Sequence, residues 1–170
     1  MSLQTESIGL ENHYLIECFD SAGNIKWVEE IYNLITNEGL DDVLNNYLKG
    51  SAYTAAFYVG LTDGTPTVAA GDTMASHAGW AEVTAYTEAT REALTLGTVS
   101  SQSVDNSASK ASYAINTNST TVGGAFITTV STKGGSTGTL YGVGAFSGGD
   151  KATDNGDTLN VTVTATAASA

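Results

Sequence analysis

The side chains that could carry out chemistry are few and lie far apart in the chain. There are two histidines, His13 and His77, and one cysteine, Cys18. No HxxxH or CxxC pair is present, although zinc sites need such spacings. A single cysteine cannot form an internal disulfide, so Cys18 is interpreted as a small buried hydrophobic residue. These residues predict neither a zinc site nor a disulfide framework.

Acidic residues in predicted loops are the other candidate metal ligands. Residues 150–157 superficially resemble a calcium-binding loop, but they lack the alternating Asp or Asn ligands and the closing Glu that such a loop uses. Solvated turn acids are the favoured interpretation, and a calcium site stays open as the alternative. The candidate ligands are Asp63, Asp72, Asp150, Asp154 and Asp157.

Catalytic patterns are missing as well. No GxSxG motif occurs, and adjacency of Ser76 and His77 in sequence does not make a catalytic dyad. Glu29 and Glu30 are neighbours on a predicted strand, so they point to opposite faces. The Gly-rich residues 133–139 do not have the order of a phosphate-binding loop. We therefore expect a protein that is not an enzyme and that needs no cofactor.

The charge of the chain restricts its partners. Eighteen acidic residues against six basic ones give a net charge of −12. Nucleic acids and anionic membranes attract clustered Lys and Arg, so neither is an expected partner. The first residues, MSLQTESIGLEN, lack the basic and apolar regions of a secretory signal, which predicts synthesis in a cytoplasm.

A β-hairpin is the clearest local element. Residues 13–19 and 25–31 read as strands, and Asp20 to Asn24 form a turn in which Gly23 can adopt a positive φ. Apolar residues occur on both faces, so the hairpin either packs on its own domain or docks on another chain. Residues 1–12 are predicted to be loose.

One helix is predicted within residues 33–49, near residues 38–49. Asn37 or Asp41 could cap it, and Gly50 ends it. Its apolar residues recur with helical spacing and predict a brace against a sheet. They are Leu40, Val43, Leu44, Tyr47 and Leu48.

The rest of the chain reads as strands and turns. Further strands are predicted at 56–61, 79–86, 94–99, 110–116, 121–130, 140–146 and 158–166. This pattern predicts a mainly β protein, an antiparallel β-sandwich or jelly-roll-like domain with one short helix. We expect residues 1–32 to form an N-terminal hairpin arm and residues 33–170 to form the sandwich.

A short repetition links two loops. Gly71-Asp72-Thr73-Met74 is similar to Gly156-Asp157-Thr158-Leu159. The second is interpreted as a turn in which the aspartate binds nearby backbone N–H groups before the last strand, and the first can do the same.

Several motifs together resemble a family of small virion proteins of tailed bacteriophages. The most specific is GDTMASHAGW at 71–80, and the likeness extends over residues 13–170. It includes FYVGL at 57–61, Glu82, Tyr86, Arg91, NLITNEGL at 33–40, GAF at 124–126, TKGG at 132–135, AFS at 145–147 and the closing GDTLNVTVT. The resemblance implies a capsid decoration, or cement, protein on the virion exterior, bound to the major capsid protein and assembled as a homotrimer.

The hairpin is the expected docking element for this role, because strand addition and aromatic anchors are common in interfaces. The predicted docking residues are Tyr14, Ile16, Phe19, Ile25, Trp27 and Val28. The alternative function is a tail or fibre component that binds a host surface glycan. In that case exposed aromatic residues, Tyr53, Trp80 and Tyr141, would stack on sugars.

Overall fold

The computed structural model describes residues 8–50 and 56–169. Within these residues the chain is mainly β, with two five-stranded sheets, one small two-stranded sheet and a single short helix. Every strand pairing is antiparallel. This confirms the predicted fold class.

The first sheet is built on its two longest strands. It contains β1 (Ile8–Phe19), β2 (Ile25–Tyr32), β6 (Ser103–Asp105), β7 (Ala111–Ala114) and β12 (Thr158–Ser169). The order is β2-β1-β12-β6, and β7 pairs with the first part of β12. β1 and β12 are paired along their entire lengths.

The second sheet packs against the first. Its order is β3 (Leu34–Ile35), β10 (Leu140–Ala145), β9 (Gly124–Thr128), β4 (Tyr58–Thr62) and β5 (Glu92–Ala93). A separate small sheet pairs β8 (Thr120–Val122) with β11 (Lys151–Thr153).

The main core fills the space between the two large sheets. Tyr14 and Ile16 of the first sheet lie in one buried cluster with Val59 and Ile127 of the second. The Tyr113 hydroxyl donates to the Val59 carbonyl at 2.7 Å and so links the two sheets across this core. The arrangement is that of a sandwich.

A smaller core lies on the opposite face of the second sheet. Strand alternation directs Phe126 away from the sandwich interior, where Ala125 and Ile127 point. Met74 and Trp80, from the long connection between β4 and β5, cover Phe126 there. The connection therefore acts as a third layer over part of the sheet.

The helical segment differs in detail from the prediction. An α-helix, α1 (Asn37–Asp42), continues into a π-helical segment (Val43–Leu48). The predicted caps, Asn37 and Asp41, are wrong: Thr36 caps the helix, because its Oγ1 accepts the Gly39 N–H at 3.2 Å. Gly50 follows the helix with φ of 72°, as its predicted position at the helix end requires.

The predicted hairpin is present, but it forms part of the main sandwich. Asp20 Oδ1 accepts the N–H groups of Ala22 and Asn24, both at 2.9 Å, and Gly23 has φ of 83°. β1 and β12 are paired from Ile8 opposite Ser169 onward, and residues 1–7 of the segment predicted to be loose lie outside the described residues. Residues 8–12 are therefore strand rather than loose chain, and β1 pairs with β12 instead of extending from the domain.

Two predicted strands do not form. Residues 79–86 make isolated bridges, such as Thr62 with Glu82, and residues 94–99 belong to no strand. Val83 and Tyr86 are nevertheless buried. They alternate with polar residues because this segment packs on the edge of the core. Instead of the repeated hydrogen bonds of paired strands, the segment makes single backbone hydrogen bonds, such as the one that the Val83 N–H donates to the Leu61 carbonyl.

Candidate docking surfaces

The two histidines have structural contacts. His77 Nδ1 lies 2.9 Å from the Trp80 carbonyl oxygen, and its ring stacks on the Trp80 ring at 3.8 Å. His13 lies 3.5 Å from a Glu30 carboxylate oxygen and against the ring of Tyr32. Among the described residues, no group of three His, Cys, Asp or Glu side chains is placed to hold a metal ion.

The loop acids considered as calcium ligands each accept a backbone N–H. The donors are Ala81 for Asp63, Ala69 for Asp72, Thr65 for Asp150, Ser119 for Asp154 and Asp154 for Asp157. Each carboxylate thus stabilises a loop, which is the turn role favoured by the sequence.

The repeated GDT motifs form turns with the same two hydrogen bonds. Asp72 Oδ2 accepts the N–H of Ala69 at 3.0 Å, and Asp157 Oδ2 accepts the N–H of Asp154 at 2.8 Å. In both turns the aspartate N–H also bonds back to the carbonyl of the residue three positions earlier. The same local sequence therefore produces the same two hydrogen bonds, although Gly156 has a φ of 93° and Gly71 does not have a positive φ.

A buried cluster surrounds the thiol of Cys18. The Asp157 carboxylate lies 4.0 Å from Sγ and accepts from Lys26 Nζ at 2.6 Å. Burial, with a further contribution from the Asp157 charge, raises the pKa of the Cys18 thiol to about 11. A thiol with so high a pKa is a poor nucleophile.

The motif at 71–80 serves as the cover of the second sheet. Asp72 Oδ2 accepts the Trp80 indole N–H at 3.1 Å, which holds the two ends of the motif together. Trp80 is 6% exposed and tilts over Phe126, while Met74 is 1% exposed. Asp72, Met74 and Trp80 of the motif are thus engaged in contacts that maintain the fold.

Two of the three aromatic residues predicted to stack on a glycan are wholly or partly buried. Trp80 is buried, and Tyr141 is half-buried with its ring edge-on to Phe57 at 5.2 Å. Tyr53 lies outside the described residues. The two described residues proposed for stacking are therefore used inside the domain.

The structure divides the predicted docking residues into three groups. Tyr14 and Ile16 are fully buried in the main core, so a docking role for their side chains is wrong. Phe19 and Trp27 are half-buried, and Trp27 packs edge-on against Phe146. Ile25 and Val28 are exposed at the surface.

β2 forms an outer edge of the first sheet and pairs only with β1 among the described strands. Ile25, Val28 and Tyr32 on this strand are 60%, 45% and 77% exposed. We call these three side chains and the unpaired side of β2 the β2 edge surface. The sequence did not identify Tyr32 as a docking residue. Tyr32 lies one residue beyond the predicted strand, so the direction of its side chain could not be predicted.

A second apolar surface lies along the helix. The predicted stripe does not brace a sheet: Leu44, Tyr47 and Leu48 are 55%, 77% and 68% exposed. Together with Leu40 and Val43, and with Leu10 and Ala167 from the paired ends of β1 and β12, they line a cavity of about 480 Å³. We call this cavity the helical groove.

The described residues include no helix long and apolar enough to cross a membrane. Comparisons of the chain with protein-family models, with curated proteins and with solved structures gave no match.

Proposed function

We propose that this protein is a capsid decoration protein that binds the exterior of a tailed-phage head and stabilises the shell. The observation that carries the proposal is the β2 edge surface, an eight-residue strand paired on one side whose exposed side chains include Ile25, Val28 and Tyr32. The major capsid protein is the proposed partner, and a homotrimer is the proposed assembly, as the sequence resemblance implies.

Strand addition explains how such an edge can hold a partner. An edge strand has a row of N–H and C=O groups without partners, and an extended segment of another chain can pair with them. Main-chain hydrogen bonds then supply affinity, and side chains such as Val28 and Tyr32 supply an apolar contact. The sandwich keeps the edge rigid, because β1 is held between β2 and β12.

The charge distribution supports a protein partner with a basic surface. Five of the six Lys and Arg side chains are engaged inside the domain. Lys26, Arg91, Lys110 and Lys151 pair with carboxylates, and Lys133 donates to the Tyr86 and Glu88 carbonyls. The exterior is consequently dominated by acids, which supports neither nucleic-acid nor anionic-membrane binding.

The test is attachment to heads of the source phage that have been assembled without this protein. We expect the wild-type protein to co-sediment with these heads at micromolar concentration and to raise the temperature at which they rupture. Failure of the wild-type protein to attach would overturn the proposed function. Deletion of the hairpin is unsuitable, because β1 is part of the core sheet.

A matched pair of variants tests the surface. Val28→Asp places a charge on the β2 edge surface and is expected to weaken attachment at least about tenfold, which corresponds to about 1.4 kcal/mol. Ala89→Asp makes the same charge change in an exposed loop and should attach normally. Equal attachment by the two variants would exclude the β2 edge while leaving the function intact.

A further inference from the structure

Asn12 is the polar member of the inward-facing row of β1. Strand alternation places it on the same face as Leu10, Tyr14 and Ile16, and it is 4% exposed. Its side chain makes no hydrogen bond to any described residue, and Nδ2 is buried without a partner. A buried amide without a partner loses the hydrogen bonds that it makes to water in the unfolded chain. Asn12 therefore destabilises the fold unless a bound molecule supplies a partner.

Two cavities adjoin Asn12 at one end of the sandwich. Their volumes are about 300 Å³ and about 100 Å³, and both are lined by Asn12, Tyr141 and Ala165. Ala165 lies opposite Asn12 on β12, and Ala167 lies opposite Leu10. Because alanine side chains are short, they leave this end of the space between the sheets unfilled. We call the two cavities together the Asn12 cavity.

Apolar side chains form most of the wall of the Asn12 cavity. They include Phe57, Leu94, Leu96, Val99, Val104 and Ile127. The ring of Phe57 lies edge-on to the ring of Tyr141 at 5.2 Å, so part of the wall is aromatic. Small-molecule sites combine apolar walls with a few polar groups that orient the ligand, and the unpaired amide of Asn12 is suited to that role.

The remaining polar wall residues place no charge inside the cavity. The hydroxyls of Ser103 and Thr166 lie 3.3 Å apart, and Gln102 is exposed. Glu11 contributes to the wall, but its side chain points to the opposite face of β1 from Asn12. No Lys, Arg or His is among the described residues that line the cavity. A charged ligand would lose its water there without meeting an opposite charge, so an uncharged ligand is favoured.

We infer that the Asn12 cavity binds a small, uncharged molecule with an apolar, ring-sized body and one group that both donates and accepts a hydrogen bond. The asparagine amide has a donor at Nδ2 and an acceptor at Oδ1, and rotation about χ2 exchanges the atom that faces the cavity. A carboxamide on the ligand is complementary to both atoms. An apolar cavity of about 150 Å³ is large enough to hold benzene, so the Asn12 cavity has room for a substituted ring.

The inference is independent of the proposed function and is tested with three probes of similar shape. Benzamide is uncharged and can donate and accept, toluene has no polar group, and benzoate is charged. Nuclear magnetic resonance of the isotope-labelled full-length protein follows the side-chain NH₂ signals of Asn12 and the backbone signal of Ala165. We expect benzamide to shift both, with a dissociation constant of about 1 mM. Benzoate should bind at least about tenfold more weakly.

Asn12→Leu tests whether the amide holds the ligand. The variant replaces the amide by an apolar side chain of similar size and retains the Asn12 carbonyl that accepts the Asn33 N–H at 3.1 Å. Benzamide should bind it at least about tenfold more weakly than it binds the wild-type protein, whereas toluene should bind at least as tightly. Its melting temperature should be no lower than that of the wild-type protein, because no hydrogen bond within the protein is lost.

A second pair of variants tests the location. Ala165→Leu fills the cavity and should abolish the binding of benzamide and toluene. Ala168→Leu makes the same enlargement at an exposed position on the opposite face of β12 and should bind both normally. Melting temperatures of the two variants check their folding, and Asn12→Leu provides the test if Ala165→Leu does not fold.

Four results would overturn the inference. The first is no binding of benzamide by the wild-type protein. The second is binding of benzoate as tight as that of benzamide. The third is equal affinity of the wild-type protein and Asn12→Leu for benzamide, or a strongly lowered melting temperature of that variant, because the amide would then have a partner within the protein. The fourth is normal binding by a folded Ala165→Leu variant, which would place the probe elsewhere.

Discussion

Arg91 and Glu82 form a buried two-point ion pair, with Nε 2.9 Å from Oε1 and Nη2 2.7 Å from Oε2. Arg91 also donates to the carbonyls of Val130 and Gly135, both at 2.8 Å, and Glu82 accepts the N–H of Gly134. The pair therefore joins the long connection between β4 and β5, which covers part of the second sheet, to the loop between β9 and β10.

Breaking this pair should destabilise the protein strongly. Arg91→Met leaves the Glu82 carboxylate buried without its partner, and we expect a loss of about 3–5 kcal/mol in the free energy of unfolding. Urea denaturation followed by circular dichroism measures it. The control is Lys110→Ala, which breaks the partly exposed pair with Glu17 and should cost at most about 1 kcal/mol. Similar losses in the two variants would contradict the assigned role of Arg91.

Gly60 is required for the contact between β4 and β9. A Cβ atom added to Gly60 would overlap the ring of Phe126, which is itself covered by Trp80. We expect Gly60→Ala to destabilise the protein by about 1–3 kcal/mol because the packed ring must move. Gly71 has open space around its Cβ position, so Gly71→Ala should be nearly neutral. Thermal denaturation of both variants compares them, and a neutral Gly60→Ala would refute this packing.

The thiol of Cys18 should be unreactive in the folded protein. The side chain is fully buried, and burial raises the pKa of the thiol to about 11. At about pH 8 the native protein should therefore react very slowly with a disulfide reagent, whereas denatured protein should release one equivalent of thiolate product. Val99→Cys, at a position 69% exposed, provides a fast-reacting control. Native Cys18 reacting as fast as this control would contradict the prediction.

Stability should decrease in acid. Hydrogen bonds from Asn24 to Asp20, from Ser107 to Asp105 and from Ser119 to Asp154 lower the pKa of each carboxyl below 3.8. A carboxyl with a lowered pKa stabilises the fold above its unfolded pKa, and this contribution is lost as the pH falls through the folded pKa. We therefore expect the free energy of unfolding to drop below about pH 4. Urea titrations from about pH 7 to pH 3 check this.

The turn at Asp20 provides a variant for the acid prediction. Asp20→Asn keeps an oxygen that can accept the N–H groups of Ala22 and Asn24 but removes the charge. The variant should lose less stability between neutral and acid pH than the wild-type protein. An identical pH profile would show that Asp20 does not contribute to the acid sensitivity.

The sequence predicts the fold class well because local signals determine it. The turn residues Asp20 and Gly23 mark the hairpin, and alternating apolar residues mark most strands. The orientation of the hairpin depends on a distant strand. Tyr14, Ile16 and Cys18 point into the core because they lie opposite Val163, Val161 and Leu159 of β12 in register. With apolar residues on both faces of β1, local sequence could not distinguish the buried face from the outer one.

The candidate surfaces were predicted less well for a similar reason. Helical periodicity identified the stripe from Leu40 to Leu48, but periodicity does not show whether another element covers it. In the structure, Gly39 makes the close contact of α1 with the Tyr141 backbone, and the stripe faces away from the core. A glycine offers no apolar signal, so this attachment point is not recognisable in the sequence.

The pairing of β1 with β12 also affects how the protein folds. Their residues are separated by nearly the whole described chain, and β12 provides the edges on which β6 and β7 pair. The first sheet therefore cannot be completed until β12 has been synthesised. Bringing such distant strands together also has a large entropic cost. Folding should accordingly be slow for a domain of this size, and during synthesis the apolar face of β1 remains unprotected until β12 leaves the ribosome.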